Sequence, residues 1–332
     1  MTEPVPMTEI WRGGFLEAVH RGHAVVCDTS GQVAQAWGDP EKVILPRSAI
    51  KMIQALPLVE SGAADAAGLG PERLALACAS HSAAAVHTET VAAWLGELGL
   101  ADDALACGPQ EPRDRAARDA LIRAGGPVCR RHNNCSGKHT GMLTLATHLG
   151  AGPDYVDPAH PVQKAILEAF EDVTGETSAG HAIDGCSAPN YAASLHGLAR
   201  AMAFFAGARA DGTVRERAAR RLRRAMATHP EMVSGDGNAC TELMRAMGGR
   251  VTIKGGAEGS YTAILPDQGL GVAVKVEDGA QRGQEAVIAA LLVHLGALEA
   301  DHPAARRWRD PALKNWAGQA VGAMRPAAGF PR

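Results

Sequence analysis

Residues 45–52 read Leu-Pro-Arg-Ser-Ala-Ile-Lys-Met, which puts Ser48 three residues ahead of Lys51 at the head of an apolar run. A serine hydroxyl is a weak nucleophile at neutral pH unless a base takes its proton. A lysine one helical turn later projects from the same face. If burial or a second cation keeps that amine neutral, it can be the base. Ser48 and Lys51 therefore point to acyl transfer through a serine ester. Taken alone, the spacing fits equally a serine helix cap followed by a surface lysine.

Two further segments give the spacing company. Cys78-Ala79-Ser80-His81-Ser82 is a polar cluster directly after the apolar run Leu74-Ala75-Leu76-Ala77. It reads either as a second catalytic hydroxyl facing Ser48 or as a turn closed by local serine hydrogen bonds. Lys254-Gly255-Gly256 follows a strand-like segment, and its glycines let the backbone come close to a ligand. S-x-x-K, then a serine cluster, then a lysine before glycine is the chain order of the serine β-lactamases and penicillin-binding proteins. Two nearby ammonium groups would also depress one another's pKa.

The elements around these motifs suit that order. Two apolar runs across 14–38 flank Asp28-Thr29-Ser30-Gly31 and read as a hairpin. Helices are expected over 48–62, 85–99, 139–149, 160–175, 190–208 and 213–228, the last stopping at His229-Pro230. From 250 the pattern turns to short strands, 251–254, 260–265 and 271–276, and then to a helix over 283–298. The economical assembly is a single α/β (α+β) domain over 1–332. In it an antiparallel sheet from both chain ends, about 11–45 and 250–298, packs on a helical region over about 48–245. That is the layout of the serine β-lactamase and penicillin-binding-protein fold.

The chain of 332 residues is 46% hydrophobic but only 4% aromatic, so the core must be built from small aliphatic side chains. A net charge of −3 gives no electrostatic reason to expect nucleic acid or membrane. The basic run from Arg215 to Arg224 reads as a solvated helix face. No long apolar run and no leader pattern is seen, so a cytoplasmic location is expected. Seven scattered cysteines, an odd number, argue against a disulfide framework.

Two thiol-bearing turns remain. In Asn133-Asn134-Cys135-Ser136-Gly137-Lys138-His139, Cys135 and Lys138 have ligand-pair spacing with His139 adjacent, and Cys186 sits in Asp184-Gly185-Cys186-Ser187. Two thiolates with nitrogen ligands suit Zn²⁺. On spacing, His139 is the conventional nitrogen, because a lysine must first lose its proton. The other reading is two buried free thiols beside a helix start at Gly137.

Together, Arg47-Ser48-Ala49-Ile50-Lys51, Cys78-Ala79-Ser80-His81-Ser82, Asn134-Cys135-Ser136-Gly137-Lys138-His139, Asp184-Gly185-Cys186, His229-Pro230-Glu231-Met232-Val233 and Lys275-Val276-Glu277-Asp278-Gly279 resemble the Rhizobium etli-type, class 3 inducible L-asparaginases over about residues 11–325. The resemblance implies a serine β-lactamase-like fold, a homodimer and hydrolysis of L-asparagine to L-aspartate and ammonia. It implies two Ser–Lys pairs, Ser48 with Lys51 and Ser80 with Lys254, with Ser48 attacking the amide. It implies zinc on Cys135, Lys138 and Cys186, so that Lys138 rather than His139 is the nitrogen ligand. Arg47, His81, His139 and Asp184 would surround the substrate. The competing expectations are a serine-dependent glutaminase of the same fold and a zinc-dependent amino-acid sensor. A penicillin-hydrolysing enzyme is a more distant one.

Overall fold

The computed structural model describes residues 2–331. Its centre is an eight-stranded antiparallel sheet drawn from the two ends of the chain. The N-terminal strands are β1 (Val5–Arg12), β2 (Phe15–Asp28) and β3 (Val33–Trp37). Two small ladders lie outside the sheet, β4 (Val43–Ile44) with β7 (Ala193–Ser194) and β5 (His181–Ile183) with β6 (Pro189–Tyr191). The C-terminal strands are β8 (Thr252–Gly255), β9 (Ser260–Leu265), β10 (Leu270–Val276), β11 (Ala312–Lys314) and β12 (Ala320–Pro326). The order across the sheet is β11-β12-β1-β2-β10-β9-β8, with β3 on the later half of β2.

The expected hairpin is present, with the 28–31 turn between β2 and β3. The sheet extends beyond the expected bounds at both ends, because β1 begins at Val5 and β12 pairs with it. β11 and β12 are half-buried to exposed, apart from Met324, and carry little apolar alternation. β12 finds its partner β1 some three hundred residues away, and β11 pairs only with β12, so nothing in their own apolar pattern marks them as strands.

β9 is buried along its whole length, so the central sheet is covered on both faces. The helix Leu195–Gly207 lies on β2, β9 and β10, and the helix Gln281–His294 packs against β9 and β10. The first helix comes closest at Gly271, where a Cβ would sit 2.0 Å from the Ala203 nitrogen and 2.3 Å from the Ala199 carbonyl oxygen. Only a glycine permits that approach. The core is otherwise made of alanine, leucine, valine and methionine, as the low aromatic content requires.

The middle of the chain is helical. Helices cover Ala85–Glu97, Ser136–His148, Pro161–Thr174 and Val214–Thr228 close to their expected limits. Two expectations change. The helix expected over 48–62 is three short pieces, Arg47–Ile50, Lys51–Gln54 and Leu56–Glu60. Pro57 has no N–H to donate back into the preceding turn, which interrupts the ladder there. The helix expected from 190 starts at Leu195, because β6 and β7 occupy 189–194 and Ser194 caps the first turn by accepting from the Gly197 N–H.

Candidate active site

The sheet and the helical region meet at Lys254. Register places Lys254 of β8 beside Thr262 of β9, and Thr262 beside Ala273 of β10, all on one face. That face looks toward the segment that opens the helical region, where the Thr262 hydroxyl donates to the Ala49 carbonyl at 2.8 Å. The end of β8 is thus tied to the segment that carries Ser48 and Lys51.

Ser80 follows the helix Pro71–Ala77 on an irregular strip held from both sides. Its N–H donates to the Val233 carbonyl at 2.9 Å, and the His81 N–H donates to the Asn134 carbonyl at 3.1 Å. The Ser80 hydroxyl lies 2.9 Å from Lys254 Nζ and 3.0 Å from Lys51 Nζ. Both lysines are 1% exposed. Lys51 also donates to the Ala79 carbonyl and to Cys135 Sγ, which lies at 3.1 Å, so all three of its N–H directions meet acceptors. Lys254 meets only Ser80 and the Gly255 carbonyl. Burial, helped by the Lys51 charge, pulls the Lys254 amine down to about 7. The pair is therefore arranged as an amine able to accept a proton and an ammonium able to steady the oxygen that loses it.

Ser48, Ser80 and Lys254 line one cavity of about 280 Å³, together with Ser82, Arg113 and Glu285. Lys51 hydrogen-bonds Ser80 rather than Ser48, so the amine three residues from Ser48 is turned toward the second serine. Arg47, just before Ser48, has a left-handed backbone, φ 54. The buried side chain of Asn190 holds it there, accepting from the Arg47 N–H and donating to the Arg47 carbonyl, each at 3.2 Å. The Arg47 guanidinium turns away to Asp184, at 2.9 Å through Nε and 2.6 Å through Nη2.

Arg47 is one of four non-glycine residues with positive φ among the described residues; the others are Ala83, Ser187 and Glu258. They adjoin Ser48, Ser82, Cys186 and the β8–β9 turn. Backbone strain is thus concentrated around the cavity and the thiols.

A second, drier chamber lies behind Lys51. Lys138 Nζ is 3.0 Å from Cys186 Sγ. The Cys135 thiol donates to the Asn134 side-chain oxygen at 3.1 Å. The two neighbouring sulfurs act on each other so that Cys186 is held well below the ordinary thiol range and Cys135 well above it. Burial opposes the Lys138 ammonium, but Cys186 and Cys135 outweigh it and hold that amine above its ordinary value. His139 accepts from or donates to the Tyr155 hydroxyl at 2.8 Å through Nδ1, while its buried Nε2 is without a partner. Cys186 acts on that ring, and burial sets its pKa below the ordinary value. Two sulfurs and an amine make a donor set that fits a borderline-soft divalent cation. Among the described residues no three His, Cys, Asp or Glu side chains gather into a metal-binding array, so a third protein ligand would have to be Lys138. All seven cysteines are free, in line with the expectation of no disulfide framework.

Of the residues expected around the substrate, none lines the cavity. His81 is fully buried behind Ser80, its Nε2 bonded to Ser136 at 2.9 Å and its ring stacked on His87. Arg47 and Asp184 pair with each other, and His139 belongs to the thiol chamber. Arg113, Gln284 and Glu285 sit in segments with no motif, and only the packing of distant elements brings them to the cavity. Asn190 ends the Cys186 turn, but its role as a clamp on Arg47 has no sequence signal.

The sequence profile of the family described as L-asparaginase II matches residues 8–326. No curated protein sequence matches the chain. Among solved structures, the chain is similar to Mglu in its tris and glutamate form, at 16% identity and a TM-score of 0.47, over 91% of this chain and 64% of that one. It is also similar to a β-lactamase from Mycobacterium bovis, at 12% identity and a TM-score of 0.38, over 82% and 94%. A third likeness is to an octameric penicillin-binding protein homologue from Pyrococcus abyssi, at 14% identity and a TM-score of 0.32, over 84% and 74%. The chain thus spans under two thirds of the length of Mglu. Among the described residues no helix is long and apolar enough to cross a membrane.

Proposed function

The chain belongs to the L-asparaginase II family, and as an amidohydrolase of that family, we propose, it hydrolyses L-asparagine to L-aspartate and ammonia through an aspartyl ester on a serine. The observation that carries this reading is the Ser80 hydroxyl held between the Lys254 and Lys51 amines inside a polar cavity.

Ser48, which shares the cavity and has no hydrogen bond from Lys51, is the hydroxyl placed on the side-chain carbonyl carbon. Its proton passes to Ser80 and from there to Lys254, and the same route returns a proton to the departing ammonia. Such contacts commonly tighten only when substrate is bound. The Lys51 ammonium faces the hydroxyl that carries the transient charge and lowers its cost. Water then repeats the attack on the ester and releases aspartate. The direct bond from Ser80 to Lys254 favours a second reading, in which Ser80 itself carries the ester.

Cys135, Lys138 and Cys186 would hold zinc, which when bound would supply an open coordination position to a donor atom of the substrate. Thiolate ligands make such an ion a poor activator of water, and the two serines leave it no need to supply the nucleophile. The homodimer is what the family resemblance implies and the cytoplasmic location is the expectation from the sequence; light scattering and cell fractionation test them.

The deciding experiment is ammonia release from L-asparagine and, in parallel, L-glutamine by the purified protein. Acid-quenched samples are then mapped by mass spectrometry. Release from asparagine with an added aspartyl mass on the Ser48 peptide is expected. The same mass on the Ser80 peptide selects the second reading. Release from glutamine alone makes the protein a glutaminase, and release from neither sinks the amidohydrolase assignment.

A further inference from the structure

The cavity walls carry opposite and unneutralised charge. On one wall is Arg113, with no carboxylate within ion-pair distance among the described residues. Its loop is fixed to the Ser80 strip, since the Asp114 N–H donates to the Ser82 carbonyl at 2.8 Å. The Ser82 hydroxyl, on a residue 6% exposed, lines the cavity and has no hydrogen-bond partner. On the other wall is Glu285, whose only polar contact is with Gln281 Nε2 at 2.8 Å. Burial lifts its carboxyl above the ordinary carboxylate range, as expected of an acid that lacks a cation. Its neighbour Gln284, also 6% exposed, donates to the Gly256 carbonyl at 3.1 Å and leaves its own carbonyl oxygen unpartnered.

The two walls hang from the two halves of the proton-transfer group. Arg113 and Ser82 are attached to the Ser80 strip. Gln284 and Glu285 are attached to the end of β8, two residues beyond Lys254. Ser80 and Lys254 are themselves in contact, so the donors hang from one partner of that contact and the acceptors from the other. The buried Ser82 hydroxyl and Gln284 carbonyl oxygen, left unpaired, cost free energy that a matching ligand recovers, while the exposed Arg113 and the half-buried Glu285 add the two charges.

From this arrangement we propose that the cavity selects a zwitterionic α-amino acid, with Arg113 and Ser82 taking the α-carboxylate and Glu285 and Gln284 taking the α-ammonium group. The inference rests on the reading of this cavity as the amidohydrolase site, and it holds for asparagine and glutamine alike. An amide that lacks either charged end leaves one wall unpaired and binds poorly, which makes the enzyme specific for a free amino acid over other small amides.

Three amides test it: L-asparagine, 3-aminopropanamide, which lacks the α-carboxylate, and succinamate, which lacks the α-ammonium. Arg113→Met should raise KM about tenfold to about a hundredfold for asparagine and succinamate, the size of a lost charged hydrogen bond, and leave 3-aminopropanamide unmoved. Glu285→Gln should do the same for asparagine and 3-aminopropanamide and leave succinamate unmoved. In both variants kcat should stay within a few-fold of wild type, and the melting temperature confirms folding. Equal losses on all three amides, no loss on asparagine, or a response to Glu258→Gln in place of Glu285→Gln would overturn the assignment. If the wild type releases no ammonia, the amidohydrolase reading has failed. Calorimetric titration of the three amides into the same proteins then judges the recognition by the same pattern.

Discussion

The side-chain amide of Asn190 grips the Arg47 backbone from both sides, accepting its N–H and donating to its carbonyl. The clamp joins the middle residue of β6 to the corner that presents Ser48. A left-handed non-glycine residue costs about 1–2 kcal/mol, so the corner needs a partner that holds it. Asn190→Ala should let it relax and lower kcat about tenfold, with the ester yield on Ser48 falling in step. Unchanged kcat in the folded variant would show that the corner holds itself.

Ser48→Ala and Ser80→Ala should each lower kcat at least about a hundredfold, because one removes the attacking oxygen and the other the only hydroxyl in contact with both lysines. Lys51→Ala should be as damaging. Near-normal turnover in Ser80→Ala would mean that Ser48 reaches an amine without it.

Lys254 must be neutral to accept a proton, and burial brings its amine to about 7. The rate kcat/KM should therefore rise with pH and level off above about 7, and Lys254→Met should abolish that limb. The stability term has a definite sign. The folded pKa lies below the free value of 10.5, so between about 7 and 10.5 the unfolded chain binds a proton that the folded chain does not. The difference in unfolding free energy, wild type minus Lys254→Met, should grow as pH rises through that window and be flat below it. A pH-independent rate would remove lysine as the base.

Zinc is expected at about one ion per chain, a structural-type stoichiometry, by elemental analysis of wild-type protein and should be lost in Cys135→Ser and Cys186→Ser. Chelation should raise KM for asparagine more than it lowers kcat, because the nucleophile comes from serine. Abolished kcat at saturating asparagine would place the metal in the chemistry.

Gly271 is where the helix Leu195–Gly207 meets β10 most closely. Gly271→Val has no room on either side and should destabilise the protein by about 3 kcal/mol or more, or prevent its folding. Chemical denaturation measures this; a loss under about 1 kcal/mol would mean that the helix slides freely on the sheet.

The sequence alone determined the parts that depend on short spacings. Apolar periodicity located the hairpin and most helices, and the compositional change near residue 250 marked the return to strands. Motif order brought Ser48, Ser80 and Lys254 to one cavity, and the two thiol turns to one chamber. Tertiary structure decided what local pattern cannot encode. β12 is a strand because β1 pairs with it from the far end of the chain, and β11 then pairs on the outer edge of β12. Lys51 sits three residues from Ser48, yet its amine meets Ser80, because the Ala79 carbonyl and Cys135 sulfur supply acceptors on that side. His81 looks poised for substrate beside Ser80, yet alternation along the strip turns its ring into the core. Arg113 and Glu285 carry no motif. Their roles come from elements over a hundred residues apart meeting at one cavity, where burial sets an amine's proton affinity and leaves charges without partners.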